Sequence, residues 1–254
     1  MENSVTQRVP LLVANWKMHK TRRETELFFS DLKRRLPANL DREVVICPSF
    51  PLLSLAVSHA EKRFGIGAQD VFWEKEGAYT GEVSPILLKD LHCQYVIIGH
   101  SERRHFFGES NKTVNKKVKA SLTEDLRPIV CVGETLEEMD RGKTKSVVEA
   151  QVRQGLEGVD VGNGDRLVMA YEPVWAIGTG KADTKEQSNE TMGLIRQVIA
   201  EIAGKPASEM VRILYGGSVK PENIAGFMSQ PEIDGGLVGG ASLRADSFAQ
   251  IVQY

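Results

Sequence analysis

Eight short apolar runs, separated by roughly 20 to 45 residues, are the feature of this sequence that most constrains its fold. Most of the runs are nearly continuous rather than alternating, which is typical of parallel strands that are covered on both faces. The third and eighth have weak strand propensity and are supported mainly by their position in the series. The runs span residues 10–15, 43–48, 65–69, 94–99, 127–133, 166–172, 211–217 and 234–240.

The segments between these runs carry the start signals and the spacing of helices. Thr21 and Glu24 fit a capping box, and apolar residues follow them at helical intervals. The capping pattern recurs at residues 135–138 and 184–187, and Pro221 stands where a first helical turn accepts proline. The chain is therefore expected to alternate strands with helices.

This alternation is compatible with two α/β architectures, a closed (β/α)8 barrel and an open doubly wound sheet. A dinucleotide-binding open sheet would need G-x-G-x-x-G after its first strand, but that position reads N-W-K-M-H-K. The closed barrel is therefore favoured. Since no linker or low-complexity segment divides the 254 residues, we expect one domain over residues 1–254, with residues 1–8 as a flexible N-terminal tail.

Composition argues against several kinds of partner. The 32 basic and 34 acidic residues give a formal net charge of -2, so nothing indicates nucleic acid or an anionic membrane as the main partner. No apolar run approaches transmembrane length, and the N-terminus has no signal-peptide core. The three cysteines form no C-x-x-C pair, and the five histidines lack metal-binding spacing. We expect a cytoplasmic protein with no disulfide and no metal.

Polar and glycine-rich segments follow five of the predicted strands. In a (β/α)8 barrel the carboxyl ends of all strands meet at one face, where active sites lie. These segments should therefore surround a single opening. In chain order they are Asn15, Lys17, His100, Ser101, Glu102, Glu172, and the turns at 216–218 and 239–242.

The two glycine-rich turns after the seventh and eighth strands favour a phosphate site. Glycine lets backbone N–H groups approach an anion closely, and these two loops often bind phosphate in barrels. Tight turns alone would also explain the glycines, so both interpretations stay open. Residues 178–181 look similar to a P-loop, but Trp175 and Ala182 stand where that motif needs Gly and Ser or Thr.

The titratable residues of this set suit removal of a proton next to a carbonyl group. Glu172 would take the carbon-bound proton, while His100 and Lys17 would stabilise the negative charge that develops on oxygen. Taken alone, Glu172 could form a structural ion pair and Lys17 could be a surface residue. These alternatives explain the whole set of residues poorly. No G-x-S-x-G motif supports a serine nucleophile.

From about Val9 onward the chain resembles the triosephosphate isomerase family in seven motifs that occur in the family's order. They are N-W-K-M (15–18), G-A-Y-T-G-E (77–82), G-H-S-E-R-R (99–104), C-V-G-E (131–134), Y-E-P-V-W-A-I-G-T-G (171–180), Y-G-G-S-V (215–219) and L-V-G-G-A-S-L (237–243).

The resemblance implies a TIM barrel that interconverts dihydroxyacetone phosphate and D-glyceraldehyde 3-phosphate through an enediol(ate), in glycolysis and gluconeogenesis, with no metal or cofactor. It implies Glu172 as the catalytic base and His100 as the electrophile. Asn15 and Lys17 would contact the oxyanion and the substrate, and Glu102 would help to set up the site. The backbone N–H groups implied to hold the phosphate are those of Gly178, Ser218, Gly239 and Gly240.

A closing lid over residues 173–181 and a homodimer are also implied by the resemblance. In the dimer, Thr80 would reach toward the partner's active site. The lid sequence agrees physically, since a proline stiffens one hinge, glycines free the other and apolar residues form the cover. The residues implied in the lid and its latch are Pro173, Trp175, Ala176, Thr179, Tyr215 and Ser218.

Two other functions remain open. A different phosphate-binding barrel enzyme would act on a larger substrate, which the compact lid and the set of Lys17, His100 and Glu172 argue against. A non-catalytic binding or scaffold protein on the same fold would be free to lose these three residues, and none is lost.

Overall fold

The computed structural model describes residues 8–61, 63–176 and 183–254. Eight parallel strands close into a barrel in chain order, each hydrogen-bonded to the next and β8 to β1. The predicted (β/α)8 architecture is confirmed, including the weak third and eighth strands. The strands are β1 (Leu11–Asn15), β2 (Glu43–Cys47), β3 (Gly65–Ala68), β4 (Tyr95–Ile98), β5 (Arg127–Val132), β6 (Val168–Tyr171), β7 (Arg212–Tyr215) and β8 (Gly235–Val238).

Helices follow the strands and form the outer layer of the barrel. Short 3-10 turns lie at Phe50–Leu52, Val174–Ala176 and Gly240–Leu243. The helices in the described ranges are α1 (Arg22–Arg35), α2 (Leu53–Ala60), α3 (Pro85–Asp90), α4 (Ser101–Phe107), α5 (Asn111–Thr123), α6 (Leu136–Asp140), α7 (Thr144–Gly155), α8 (Lys185–Ala203), α9 (Lys205–Met210), α10 (Ile224–Met228) and α11 (Ala245–Val252). Among these helices, none combines the length and the apolar character that crossing a bilayer requires.

The predicted helix starts are confirmed in three of four places. Capping boxes form at residues 21–24 and 135–138, and the side chain of Thr184 accepts the N–H of Gln187 at the start of α8. The start at Pro221 is wrong, because α10 begins three residues later at Ile224. The carboxamide of Asn223 accepts the Lys220 N–H at 2.8 Å and donates to the Ser218 carbonyl at 2.8 Å. These two bonds hold the preceding segment as a turn.

Two apolar clusters lie on opposite faces of the closed sheet. The outer cluster fills the space between the strands and the helices. The inner cluster fills the barrel and consists of strand residues that are at most 3% exposed. Its members are Leu11, Val13, Val45, Cys47, Tyr95, Ile97, Ile129, Cys131, Val168, Ala170, Leu214 and Leu237.

A charged group, which we call the basal cluster, joins the amino ends of four strands below the inner apolar cluster. It consists of Glu43, Tyr95, Arg127 and Arg212. The Tyr95 hydroxyl donates to Glu43 at 2.7 Å and accepts from Arg127 at 3.0 Å and Arg212 at 2.9 Å. Arg212 also contacts the Glu43 carboxylate at 2.7 Å. The basal cluster therefore satisfies polar groups at the end of the barrel opposite the strand carboxyl ends.

The predicted tail, residues 1–8, lies outside the described residues except for Arg8. The Arg8 guanidinium contacts Asp234 at 2.5 Å and donates to the carbonyls of Glu209 and Pro231. Asp234 in turn accepts from Arg196 of α8 at 2.8 Å. These contacts connect the start of β1 to the turn before β8.

Candidate active site

A cavity of about 280 Å³ opens at the carboxyl ends of the strands. Its walls come from the ends of β1, β4, β6, β7 and β8, so the structure brings together the polar residues that the sequence singled out. Asn15, Lys17, His100 and Glu172 line one side, and the turns at 216–220 and 239–241 line the other. Within the described ranges, no group of three or more His, Cys, Asp or Glu side chains is arranged to hold a metal.

Glu172, which follows β6, is 2% exposed at the floor of this cavity. Its Oε1 lies 3.0 Å from His100 Nε2, and its Oε2 accepts the Ser101 N–H at 2.9 Å. Burial raises the pKa of Glu172, but the attraction of His100 and the hydrogen bonds together outweigh burial, so the net pKa is lowered. Glu172 is therefore ionised at neutral pH and available as a base.

His100 is the N-cap residue of α4 and is 5% exposed. Nδ1 accepts the Glu102 N–H at 3.2 Å, so the ring proton of the neutral form lies on Nε2 and faces Glu172. Burial lowers the pKa of His100, but the charge of Glu172, its hydrogen bond and the charge of Glu102 together outweigh burial, so the net pKa is raised. The imidazole can thus donate through Nε2 to an oxygen in the cavity.

Lys17 is placed by an unusual backbone conformation. Its φ of 52° lies in the left-handed region, and its N–H donates to Asn15 Oδ1 at 3.0 Å. Gln69 donates to the Lys17 carbonyl at 2.8 Å and to the Cys47 carbonyl at 2.9 Å, which fixes the turn. Lys17 Nζ then contacts Glu102 Oε1 at 2.7 Å. Sequence reasoning missed Gln69, although it directly follows the third strand.

The glycine-rich turns after β7 and β8 are shaped by close contacts. A Cβ on Gly216 would lie 2.8 Å from Glu172 Cγ, and one on Gly217 would lie 2.3 Å from the Tyr215 hydroxyl. A Cβ on Gly239 would lie 3.4 Å from Lys17 Cε. Side chains are therefore excluded at residues 216 and 217 by direct collision.

The start of the predicted lid is connected to a buried carboxylate that sequence reasoning did not assign. Glu134 is 1% exposed and accepts from the Trp175 indole N–H at 2.8 Å and from the Tyr171 hydroxyl at 3.2 Å. Ala176 is buried, and its N–H donates to the Pro173 carbonyl at 2.8 Å. Glu134 ends the C-V-G-E motif after the fifth strand, which was the available signal. Gly178 and Thr179 lie outside the described residues.

The predicted latch residues lie at the end of β7 and in the turn that follows it. Tyr215 is fully buried at the end of β7, and its ring stacks on Phe227 with centroids 4.0 Å apart. Ser218 lines the cavity two residues after Gly216. Ser218 therefore lies at the same cavity as Glu172, whereas Tyr215 packs in the outer apolar cluster.

Thr80 lies away from the cavity of its own chain, in an exposed loop at residues 77–82. Tyr79, Ile86 and Leu87 are also exposed, and these three side chains line a common groove. Met18, after β1, is 93% exposed. The groove of Tyr79, Ile86 and Leu87 thus presents large apolar side chains to solvent, and Met18 presents another elsewhere after β1.

Comparison with known proteins agrees with this geometry. The sequence model of the triosephosphate isomerase family matches residues 10–254. A protein named triosephosphate isomerase from Dictyoglomus thermophilum is 53% identical over 244 residues, which cover 96% of this chain and 98% of that protein. Another of that name, from Moorella thermoacetica, is 54% identical over 248 residues, covering 97% and 99%. This chain belongs to the triosephosphate isomerase family.

Proposed function

We propose that this protein interconverts dihydroxyacetone phosphate and D-glyceraldehyde 3-phosphate by proton transfer, as an aldose–ketose isomerase of glycolysis and gluconeogenesis. The observation that carries the proposal is the contact between Glu172 and His100 beside a cavity with glycine-rich walls. A carboxylate and an imidazole N–H that converge on one cavity are the groups needed to move a proton from carbon and stabilise the resulting enediolate.

In the proposed reaction, a Glu172 carboxylate oxygen takes a proton from C1 of dihydroxyacetone phosphate. The electrons of that C–H bond form the C1–C2 double bond, and the carbonyl electrons move to the C2 oxygen. The Nε2–H of His100 and the ammonium of Lys17 stabilise that oxygen, with Asn15 beside them. The Nε2–H now faces Glu172 at 3.0 Å, so a substrate oxygen takes the place of the carboxylate as its acceptor. His100 then gives its Nε2 proton to the C2 oxygen and takes the proton of the C1 hydroxyl. The C1 oxygen forms the new carbonyl, and the electrons of the double bond take the proton back from Glu172 at C2, which gives the aldehyde.

The phosphate group is proposed to lie against the turns that follow β7 and β8. Backbone N–H groups of Ser218, Gly239 and Gly240 are suited to bind it, because Ser218 and both glycines line the cavity and no side chain projects from the glycines. Gly178 is proposed to add a fourth N–H. The Lys17 Nζ lies near Gly239 and contributes a positive charge beside the phosphate.

We also propose that the chain works as a homodimer in the cytoplasm, where glycolytic enzymes act. The exposed loop that carries Thr80 and the neighbouring apolar groove of Tyr79, Ile86 and Leu87 support the dimer, since such a groove is suited to burial against a second copy. Light scattering should give twice the mass of one chain. A monomer at micromolar concentration would contradict this part of the proposal.

A coupled assay with glyceraldehyde 3-phosphate tests the activity, and absence of turnover by the folded protein would refute it. Glu172→Ala tests the role of the base. It should lower kcat by about 10² to 10⁴, because general base catalysis typically contributes that factor, while the inhibition constant for inorganic phosphate changes little. Equal losses in kcat and phosphate affinity would show that Glu172 is a binding residue rather than the base.

A further inference from the structure

Gln151 on α7 makes an unusual pair of hydrogen bonds that the proposed mechanism does not use. Its Oε1 accepts the Gly133 N–H at 2.7 Å, and its Nε2 donates to the Gly133 carbonyl at 3.0 Å. One half-buried carboxamide on an outer helix thus satisfies both backbone groups of a single residue. Gly133 directly follows β5, so this pair fixes the end of a barrel strand from outside the barrel.

Gly133 lies directly against the backbone of Glu172. A Cβ at residue 133 would be 1.7 Å from the Glu172 carbonyl oxygen, which shows how closely the two backbones approach. The Glu172 N–H donates to the Val132 carbonyl at 2.8 Å, and the Val174 N–H donates to the Glu134 carbonyl at 3.1 Å. The backbone around Glu172 therefore packs against, and is hydrogen-bonded to, the segment 132–134.

The residue after Gly133 connects the same segment to the start of the lid. Glu134 accepts hydrogen bonds from the Trp175 indole and the Tyr171 hydroxyl. A rotation of the Gly133 peptide groups would move the Glu134 backbone and, through it, these contacts. Gly133 has no side chain of its own to resist such a rotation, and within the described residues Gln151 holds both its N–H and its carbonyl.

We propose that Gln151 is a positioning residue for the isomerase reaction: by holding both backbone groups of Gly133, it sets the position of the Glu172 backbone and of the Glu134 carboxylate. This inference rests on the proposed function of Glu172 as the base. Catalysis of proton transfer depends on geometry, and a displacement of about 1 Å can cost up to about a hundredfold in rate.

Gln151→Leu removes both hydrogen bonds at nearly constant volume. Its kcat with glyceraldehyde 3-phosphate should fall by roughly ten- to a hundredfold, with little change in KM, because the phosphate-binding turns after β7 and β8 are not touched. Gln197→Leu is the matched control, since Gln197 is exposed on α8 and, within the described ranges, its carboxamide bonds the Glu201 side chain alone, at 3.3 Å. A kcat equal to that of the control, with any loss confined to thermal stability, would overturn the proposal.

Gln151→Glu gives a second test that does not depend on the leucine variant folding. The introduced carboxylate can accept the Gly133 N–H but faces the Gly133 carbonyl without a proton to donate. Protonation restores the donor, so the ratio of variant to wild-type kcat should rise as the pH falls toward about 5, where a partly buried carboxyl group takes up a proton. A ratio that stays flat with pH, as is expected for Gln197→Glu, would overturn the proposal.

The same measurements separate this inference from the proposed function. Absence of turnover by the wild-type chain would refute the isomerase activity itself. Wild-type turnover that is undiminished in the folded Gln151 variants would refute only the role of Gln151.

Discussion

Gly217→Ala is the substitution whose consequence can be worked most directly from the structure. The added Cβ would lie 2.3 Å from the Tyr215 hydroxyl and 2.5 Å from Tyr215 Cζ. Ordinary contacts are about 3.5 to 4.0 Å, so the two groups must separate by more than about 1 Å. Tyr215 cannot yield, because it is fully buried and stacked on Phe227. The backbone of residues 216–218 must move instead.

This displacement should weaken both the fold and phosphate binding. Overpacking typically costs about 1 to 3 kcal/mol of stability. A shift that breaks the proposed hydrogen bond from the Ser218 N–H to phosphate would cost a further 1.5 to 3 kcal/mol or so, which corresponds to roughly ten- to a hundredfold in affinity. The inhibition constant of inorganic phosphate in the isomerase assay, measured alongside urea unfolding, reports the two effects separately.

Gly226→Ala is the matched control for this experiment. Gly226 lies on α10, and among the residues placed by the structure a Cβ there would meet Lys185 Cδ alone, at 3.7 Å, which is an ordinary contact. This control should leave both the phosphate inhibition constant and kcat unchanged. If Gly217→Ala folds stably and binds phosphate as tightly as the control, the argument that the Tyr215 hydroxyl determines the shape of the phosphate turn is refuted.

Three further outcomes are expected. Tyr95→Phe removes the hydroxyl at the centre of the basal cluster, so it should cost about 1 to 3 kcal/mol in urea unfolding and leave kcat unchanged. Unfolding at the same urea concentration as the wild type would contradict the argument. Because the pKa of Glu172 is lowered in the folded state, its ionised carboxylate stabilises the fold above about pH 4.3, and this stabilisation is lost as the pH falls through the folded-state pKa. Because the pKa of His100 is raised, its protonated imidazole stabilises the fold below about pH 6.5, and this stabilisation is lost as the pH rises through the folded-state pKa. The stability difference between wild type and Glu172→Gln should therefore be largest between these limits, and a difference that is independent of pH would show that the pair is not ionised. Burial raises the pKa of all three cysteine thiols, that of Cys93 to about 12, so mass spectrometry should find alkylation at about pH 8 only after unfolding; rapid labelling of the native protein would contradict their burial.

The fold could be predicted because its signal is local and repeated. Each strand is a short apolar run buried on both faces, and eight such runs between helical segments leave few architectures. The one wrong helix start, at Pro221, depends on the side chain of Asn223, which bonds backward to Ser218 and Lys220. A proline signal alone does not contain that competing interaction.

The candidate site was predictable only where residues end strands. Lys17, His100 and Glu172 follow strand ends, so the barrel geometry brings them together. Gln69 and Gln151 act through hydrogen bonds to backbone groups, and the Glu134 carboxylate accepts from the Trp175 indole and the Tyr171 hydroxyl. Such long-range contacts follow no fixed spacing in the sequence. The basal cluster was missed for a related reason, since its four residues are separated by long stretches of chain and only closure of the barrel brings them into contact.

Among the residues that the structure describes, the closed sheet separates the inner from the outer apolar cluster, so the protein has two cores that are joined by the strand backbone. Substitutions on opposite sides of the sheet share no side-chain contacts, so their effects on stability should be nearly additive. The two cores can therefore accept substitutions at different rates. In the outer core the helices can shift to fit a new side chain, whereas in the inner core the narrow space inside the barrel limits the side chains that fit. An engineer could vary the outer core as a library and leave the reaction at the barrel mouth in place.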